Sequence, residues 1–278
     1  MDLNFMESVL YGLLSGLAEI LPVSGSGHRV LLLRLFGEDT DSPLLRFLVH
    51  VAILAALYYC SKNQLLRLLR TMKLRRIPKK HRVRPLDVNT LTDIRLIKMA
   101  LIPIIVSFFF FDKVQSLSQN LLYMAGLMLL NGIILYVPQF LPGSTKKSVD
   151  LSPLEGILLG LGSGLSVLPG VSCLGTTVSF ATVRGCERSY ALNTSILLCM
   201  PVTMGLILFD LIEIFSVGIG GLGFGMLVTY LVAAGCAFFG VWLGIKLLRG
   251  LLSSTDFSVF GLYSWGAALL AFILYITV

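Results

Sequence analysis

Charged side chains are scarce in this sequence of 278 residues. Asp, Glu, Lys and Arg together supply 13% of the residues, and 56% are hydrophobic, whereas about a quarter of the residues of a soluble domain are charged. The mean hydropathy is +0.87. This shortage of charge excludes an ordinary soluble domain. It predicts an all-α integral membrane protein, because helices satisfy their own backbone hydrogen bonds inside lipid.

Cysteine is also too sparse for a metal-binding or disulfide framework. The five cysteines lie in or beside apolar stretches and show no paired spacing, so we interpret them as small buried hydrophobic residues. A cleavable signal peptide is not expected either. The N-terminal stretch contains Asp2 and Glu7 but no basic region, and signal peptides begin with a basic one.

The basic residues predict the orientation of the chain rather than a nucleic-acid-binding surface. The net charge is +7, but Lys and Arg cluster between the apolar segments, chiefly from Lys62 to Arg84 and at Lys146 and Lys147. Cytoplasmic loops of membrane proteins are enriched in Lys and Arg. We therefore expect both stretches to be cytoplasmic loops of a multi-pass plasma-membrane protein, with both termini outside.

Two apolar segments are each interrupted by a proline and a loop of small residues. In the first, Gly12–His28, the apolar run stops at Pro22, short of the roughly 20 residues that cross a bilayer. The second, Gly160–Thr177, breaks in the corresponding place, at Pro169. Interrupted hydrophobic segments at matching places in two halves of a chain indicate a binding site near the membrane midplane.

These segments and the loop charges predict an inverted-repeat helical bundle in a single membrane domain, residues 1–278. The first repeat, 1–140, begins with a re-entrant helical hairpin that enters from outside. The second repeat, 151–278, begins with a hairpin that enters from inside. The remaining apolar stretches predict six transmembrane helices, at 44–60, 97–111, 121–140, 191–215, 222–248 and 257–278.

The first break carries two ionisable residues, Glu19 and His28, and such residues at membrane depth usually have a function. Both breaks place small and hydroxyl residues before a helix, an arrangement that suits phosphate. Glu19 beside a phosphate requires either a divalent cation between them or a general acid–base role. His28 fits a general base or a nucleophile.

Structural roles remain open alternatives for the same residues. Glu19 could cap free backbone N–H groups, His28 could be a structural hydrogen-bonding group, and the hydroxyls could join neighbouring helices. A further histidine, His50, lies in an apolar run and fits a site and a structural role equally.

Two stretches of the sequence are similar to the signature loops of one protein family. The first is Glu-Ile-Leu-Pro-Val-Ser-Gly-Ser-Gly-His at 19–28, and the second is Pro-Gly-Val-Ser-Cys-Leu-Gly-Thr-Thr at 169–177. They resemble the loops of the undecaprenyl-diphosphate phosphatase (bacitracin-resistance) family. The resemblance extends over nearly the whole chain. It implies a membrane enzyme that removes the terminal phosphate of a C55 isoprenoid diphosphate, at the outer side of the membrane and with a divalent cation, magnesium or calcium.

The resemblance also implies roles for individual residues. Glu19, His28 and Ser24 are expected to be catalytic, and Glu19 is also the expected metal ligand. The expected phosphate-binding residues are Ser26, Gly27, Ser172, Gly175, Thr176 and Thr177.

This sequence departs from the family pattern at several site positions. The carboxylate expected four residues before Glu19 is Ser15, and the second hydroxyl of the first loop is Gly25. The arginine of the second loop is Cys173, which cannot make the paired charged hydrogen bonds by which arginine holds a diphosphate. Arg184 and Arg188 are the candidates for a substitute cation, because a long side chain reaches about one helical turn. Arg184 is the better candidate of the two, since Arg188 matches a separate arginine of the family.

Three functions therefore remain open from the sequence. The first is a lipid-diphosphate phosphatase with a rearranged site. The second is a catalytically degenerate family member that binds polyprenyl phosphate or moves it across the membrane. The third is a regulatory or scaffold membrane protein with a vestigial pocket. The expected partners are the polyprenyl (di)phosphate lipid and the membrane, with no nucleic acid, and a homodimer is left open.

Overall fold

Helices form almost the whole of the described chain. The computed structural model describes residues 3–38, 40–82, 85–116, 120–141, 145–218, 223–251 and 257–277. Within these ranges eleven α-helices are present, joined in places by short 3-10 turns, and no β-strand occurs. The α-helices are α1 (Phe5–Ile20), α2 (Gly25–Leu35), α3 (Pro43–Arg76), α4 (Val88–Phe108), α5 (Phe111–Gln115), α6 (Leu121–Tyr136), α7 (Pro153–Gly164), α8 (Cys173–Val183), α9 (Arg188–Val217), α10 (Phe224–Leu251) and α11 (Ser258–Thr277).

Among the described residues, five helical segments are long and apolar enough to cross a membrane. They are α3, α9, α10, α11 and the segment Leu121–Phe140, which joins α6 to the 3-10 turn after it. The predicted multi-pass helical membrane protein is confirmed at this level. The α4 helix has 21 residues but carries Asp93, Arg95 and Lys98 in its first half, and it is not among the five.

The basic stretch from Lys62 is helical up to Arg76, so its prediction as a loop was wrong for that part. The α3 helix continues without a break from Pro43 to Arg76, over 34 residues. The residues after Cys60 are mostly Leu, Arg, Lys and Gln, which are good helix formers. The helix ends just before Pro78, because the residue that precedes a proline is disfavoured in helical conformation.

The helices of the two halves pack in corresponding pairs. The α1 helix packs against α10, as α7 packs against α4, while α3 packs against α9 and α6 against α11. The close pairs meet at small residues. A Cβ added to Gly16 of α1 would lie 2.2 Å from the carbonyl oxygen of Ala237, and one added to Gly160 of α7 would lie 2.2 Å from the carbonyl oxygen of Ala100. Small residues at such positions allow two helix backbones to approach closely.

We expect Gly16→Ala to lower the stability of the detergent-solubilised protein by about 1–3 kcal/mol, because the added methyl group forces one of two packed backbones to move. Thermal unfolding followed by size-exclusion chromatography measures the effect. Gly235→Ala in α10 is the matched control, since no atom lies within 4 Å of a Cβ there. A melting temperature of Gly16→Ala equal to that of the control would contradict the close approach.

Candidate functional site

Each helix break ends in a serine that caps the next helix. The hydroxyl of Ser24 accepts a hydrogen bond from the Gly27 N–H at 3.2 Å, and the hydroxyl of Ser172 accepts one from the Gly175 N–H at 3.1 Å. Ser24 has a φ of 75°, a backbone conformation that residues with a Cβ rarely adopt. The two breaks therefore share one design, in which a loop and a serine cap precede a helix N-terminus with free N–H groups.

The two breaks are held against each other by Asn131 of α6. Its buried amide nitrogen donates to the carbonyl oxygen of Pro22 at 3.3 Å, and its amide oxygen accepts from the N–H of Ser172 at 2.9 Å. A direct contact adds to this link, since the N–H of Gly170 donates to the hydroxyl of Ser26 at 3.4 Å. The two loops therefore lie against each other.

Glu19, in the last turn of α1, forms an ion pair with Arg29 of α2. The distance from Arg29 Nη1 to Glu19 Oε2 is 3.2 Å, and the two side chains are 8% and 14% exposed, respectively. Gly25 makes room for this pair, because a Cβ at that position would lie 2.0 Å from Glu19 Oε2. The hydroxyl missing at position 25 thus leaves the space that the carboxylate occupies.

Two adjoining cavities lie beside this ion pair. The outer cavity has a volume of about 340 Å³, and its wall includes Ser26 and Arg29 of α2 and Arg46 of α3. The inner cavity, of about 50 Å³, shares these three residues and adds Glu19 and Cys173. Guanidinium, hydroxyl and carboxylate groups therefore face the same space between the two breaks.

Arg46 gathers three carboxylates on the cavity wall. Its guanidinium group lies 2.9 Å from Asp41 and 2.7 Å from Asp210, and it also contacts Glu213. With the ion pair of the first break, the described residues in the walls of the two cavities include four carboxylates and two guanidinium groups. Diphosphate in this space is therefore opposed by negative charge unless further positive charge or protons accompany it.

The sequence matches the family described as bacitracin resistance protein BacA over residues 8–270. The chain belongs to this family. Its curated relatives include an undecaprenyl-diphosphatase of Desulforudis audaxviator, 28% identical over 265 residues that cover 94% of each chain. Another is an undecaprenyl-diphosphatase of Alkaliphilus metalliredigens, 26% identical over 93% of this chain and 94% of the relative. Undecaprenyl-diphosphatase 3 of Bacillus cereus is 24% identical over 99% of both chains. The family resemblance of the two loops is thereby confirmed.

The catalytic candidates Glu19, Ser24 and His28 do not all face the same space. Glu19 lines the inner cavity and Ser26 lines both cavities. His28 faces α11 instead, where Nε2 lies 2.9 Å from the hydroxyl of Tyr263 and Nδ1 lies 2.8 Å from the carbonyl oxygen of Ser24. Neither His28 nor Ser24 lines a cavity described above. The catalytic roles of Glu19, Ser24 and His28 stay predictions.

The candidate phosphate-binding residues of the second loop make their contacts within the protein. The hydroxyl of Thr176 donates to a carbonyl oxygen of α7 at 2.6 Å, and the hydroxyl of Thr177 lies 2.7 Å from a serine hydroxyl of α7. Both threonines are fully buried. Ser172 and Gly175 form the cap of α8, as Gly27 completes the cap of α2. Phosphate binding by these residues stays a prediction, and their observed contacts hold the second break together.

Arg184 lies at the far end of α8 from the cavities. It caps the C-terminal end of the helix, and its guanidinium group donates to Glu155 at 2.7 Å. Ser172 caps the opposite end, and a helix of this length separates them by about 16 Å. The guanidinium groups that line the cavities are those of Arg29 and Arg46. The role of Arg184 as a substitute cation stays a prediction.

Arg29, Arg46 and Asp210 were missed by the sequence reasoning. Arg29 directly follows the motif residue His28, and Arg46 stands four residues before His50, a spacing that puts both on one face of a helix. A charged residue inside an apolar run is a functional candidate by its position alone. This criterion could have identified Arg29, Arg46 and Asp210 from the sequence. The pairing of Arg46 with Asp210 joins residues 164 positions apart, which no local pattern reveals.

The described side chains alone bring too few ligands together for a divalent cation. Among the described residues, no three His, Cys, Asp or Glu side chains come together in a way that could hold a metal ion. Glu19, the predicted ligand, is paired with Arg29, and the carboxylate expected four residues earlier is the buried Ser15. Hard divalent cations require several oxygen ligands, so most of them would have to come from substrate or water.

Removing either partner of the Glu19–Arg29 pair is expected to cost about 3–5 kcal/mol of stability, because the remaining charge is left buried without a partner. The double variant Glu19→Gln/Arg29→Gln should lose less than the sum of the two single variants. The free energies of unfolding of the wild type, the two single variants and the double variant, measured in detergent, give the coupling energy between Glu19 and Arg29. The pair of Arg184 and Glu155 is the control, since Arg184 is 42% exposed and its coupling should stay below about 1 kcal/mol. Additive losses at Glu19 and Arg29 would refute the buried pair.

Proposed function

We propose that this protein removes the terminal phosphate from a polyprenyl diphosphate. The proposed substrate is undecaprenyl diphosphate, and the product, undecaprenyl phosphate, returns as lipid carrier to cell-wall synthesis. One observation carries the proposal: in a chain of the BacA family, Glu19, Ser26 and Arg29 line adjoining cavities where the two helix breaks meet. The curated relatives named above bear the name of this activity.

The diphosphate binds at the N-terminus of α2 in this proposal. The first turn of the helix offers free N–H groups and the positive end of the helix dipole, and both favour phosphate. Ser26 adds a hydroxyl from this turn, and Arg29 adds a guanidinium group one turn further on. Arg29 thereby takes the part of the motif arginine that is replaced by Cys173, because it presents paired N–H donors to phosphate oxygens.

Magnesium or calcium belongs to the proposal as an ion that enters with the substrate. The four carboxylates of the walls disfavour a bare diphosphate, and diphosphate oxygens supply the ligands that the protein groups lack. Glu19 is the proposed protein ligand of this ion. Its charge would then lie next to a cation instead of next to a phosphate.

An apolar groove next to the inner cavity suits the isoprenoid chain. Its volume is about 260 Å³, and its wall is formed by residues of α4, the segment after it, α7 and the turn after α7. Val167 lines both this groove and the inner cavity. A lipid with its diphosphate at Arg29 could therefore lay the start of its chain along Pro103 and Leu161, which are part of the groove wall.

We further propose the finer architecture that the sequence predicts, with six spans, two re-entrant hairpins and inverted repeats over 1–140 and 151–278. The corresponding helix pairs α1–α10 and α7–α4 and the two serine caps support it. In this arrangement both termini lie outside, which cysteine labelling of intact cells at either end would test.

Size-exclusion chromatography with light scattering tests whether the protein forms a homodimer.

The purified protein is expected to release inorganic phosphate from undecaprenyl diphosphate and from farnesyl diphosphate. Glu19→Gln should reduce kcat by about 100-fold or more, because it removes an acid–base group or a cation ligand from the site. Phosphate release is measured with magnesium, with calcium and with a chelator. Glu38→Gln is the matched control, since this carboxylate follows α2 and lines neither cavity.

The other outcomes of this assay decide between the open functions. Saturable binding of the lipid monophosphate without phosphate release would identify a lipid-binding or translocating family member. Phosphate release that survives Glu19→Gln would refute the proposed site.

Replacement of Arg29 tests which cation substitutes for the motif arginine. We expect Arg29→Gln to lower kcat/KM by about 100- to 1000-fold, as the loss of a positioned transition-state donor usually does. Arg29→Lys keeps the charge beside Glu19 but loses the paired donors, so it should fold normally and remain impaired. The same assay on Arg184→Gln should give nearly wild-type rates. A large loss at Arg184 with none at Arg29 would reverse the assignment.

A further inference from the structure

His50 of α3 has one engaged ring nitrogen and one free ring nitrogen. The side chain is 2% exposed, and Nδ1 lies 2.6 Å from Oδ2 of Asp210 on α9. The buried Nε2 has no hydrogen-bond partner among the described residues. His50 also lines the inner cavity together with Glu19 and Arg29. Buried polar atoms are rarely left unpaired, because each costs free energy, and an exception calls for an explanation.

The contacts of Asp210 determine which nitrogen of His50 is free to react. A carboxylate accepts hydrogen bonds, so Nδ1 carries the proton that Asp210 receives. The lone pair of neutral His50 is then on Nε2. The second carboxylate oxygen, Oδ1 of Asp210, is held by Arg46 Nε at 2.7 Å. Arg46 therefore fixes Asp210, and Asp210 fixes the tautomer and ring orientation of His50.

The motif histidine, His28, does not offer a comparable free atom. Its two ring nitrogens lie within hydrogen-bond distance of the Ser24 carbonyl oxygen and the Tyr263 hydroxyl. Its ring also stacks on Tyr263. Of the two histidines, His50 is the one that lines the cavity shared by Glu19, Ser26 and Arg29.

We propose that His50 is the general base of the hydrolysis and that Asp210 is its positioning residue. This inference rests on the proposed phosphatase function and assigns a group that lies outside the two signature loops. The inner cavity, at about 50 Å³, has room for the attacking water, whose share of liquid volume is about 30 Å³. The same cavity adjoins the outer one at Ser26 and Arg29, where the diphosphate binds.

The proton and the phosphoryl group are balanced in this step. His50 Nε2 takes a proton from the water as its oxygen bonds to the terminal phosphorus. The bond from that phosphorus to the bridging oxygen breaks, and the bridging oxygen stays with the lipid monophosphate. The products are inorganic phosphate and lipid phosphate. The proton on Nε2 then passes to a product oxygen or to solvent, and His50 returns to its neutral form.

Three substitutions at His50 separate catalysis from structure. In His50→Asn the amide nitrogen replaces Nδ1, so the hydrogen bond to Asp210 is kept while Nε2 is removed. His50→Gln is the second variant, used if the first does not elute as a folded protein. We expect kcat for farnesyl diphosphate to fall by about 100-fold or more, the usual range for a lost general base. KM and the melting temperature should change little, and imidazole should restore part of kcat to His50→Gly.

The positioning role of Asp210 has its own test. Asp210→Asn is expected to lower kcat with little change in KM, because it misorients the base without removing a phosphate ligand. His81→Asn and Asp93→Asn are matched controls, since His81 is exposed and Asp93 is a buried carboxylate paired with Arg67 in another part of the fold. Both controls should retain wild-type rates.

The outcomes distinguish this inference from the proposed function. Wild-type activity in folded His50→Asn, or loss of kcat at His28→Asn with none at His50→Asn, overturns the inference and leaves the phosphatase function standing. A loss of kcat that only follows a fall in melting temperature, without rescue by imidazole, also overturns it. A wild-type protein that binds farnesyl diphosphate but releases no phosphate overturns both.

Discussion

The polar backbone groups at the two helix breaks have to be satisfied inside the protein, because the surrounding lipid offers no hydrogen bonds. Each serine cap satisfies an N–H group of its own helix, and the amide of Asn131 reaches both breaks at once. Neither loop is satisfied alone. The two breaks therefore complete each other, and the cavities lie beside the helix ends that meet there.

The positive charge beside the two helix breaks is supplied by α2 and α3. Cys173 stands where the family motif has an arginine, and its sulfur contacts that of Cys199 at 3.3 Å. The guanidinium groups of Arg29 and Arg46 line the same inner cavity from other helices. Both are already paired with carboxylates, so the proposed diphosphate would have to compete with protein groups for them. Its binding would then be an exchange of partners within an existing ionic network.

Local signals were enough to predict the two breaks and the loops that meet there. Pro22, Pro169 and the small residues after them interrupt apolar runs, and such interruptions are read directly from the sequence. The length of α3 could also have been predicted from the sequence, because helix-forming residues continue without a proline to Arg76. The residues of the cavity wall could not be predicted from the sequence, since Asp210 and Arg46 meet only through the packing of α3 against α9. The family motif includes His28 but not Arg29, so it predicts a role for the histidine and none for the neighbouring arginine.

The crossed packing of the two halves limits how this molecule can move. The first helix of each half is fixed, at glycines that bring backbones together, to a later helix of the opposite half. Rocking one half as a rigid body against the other would break both of these contacts. A motion that keeps both contacts therefore has to carry α1 together with α10 and α4 together with α7.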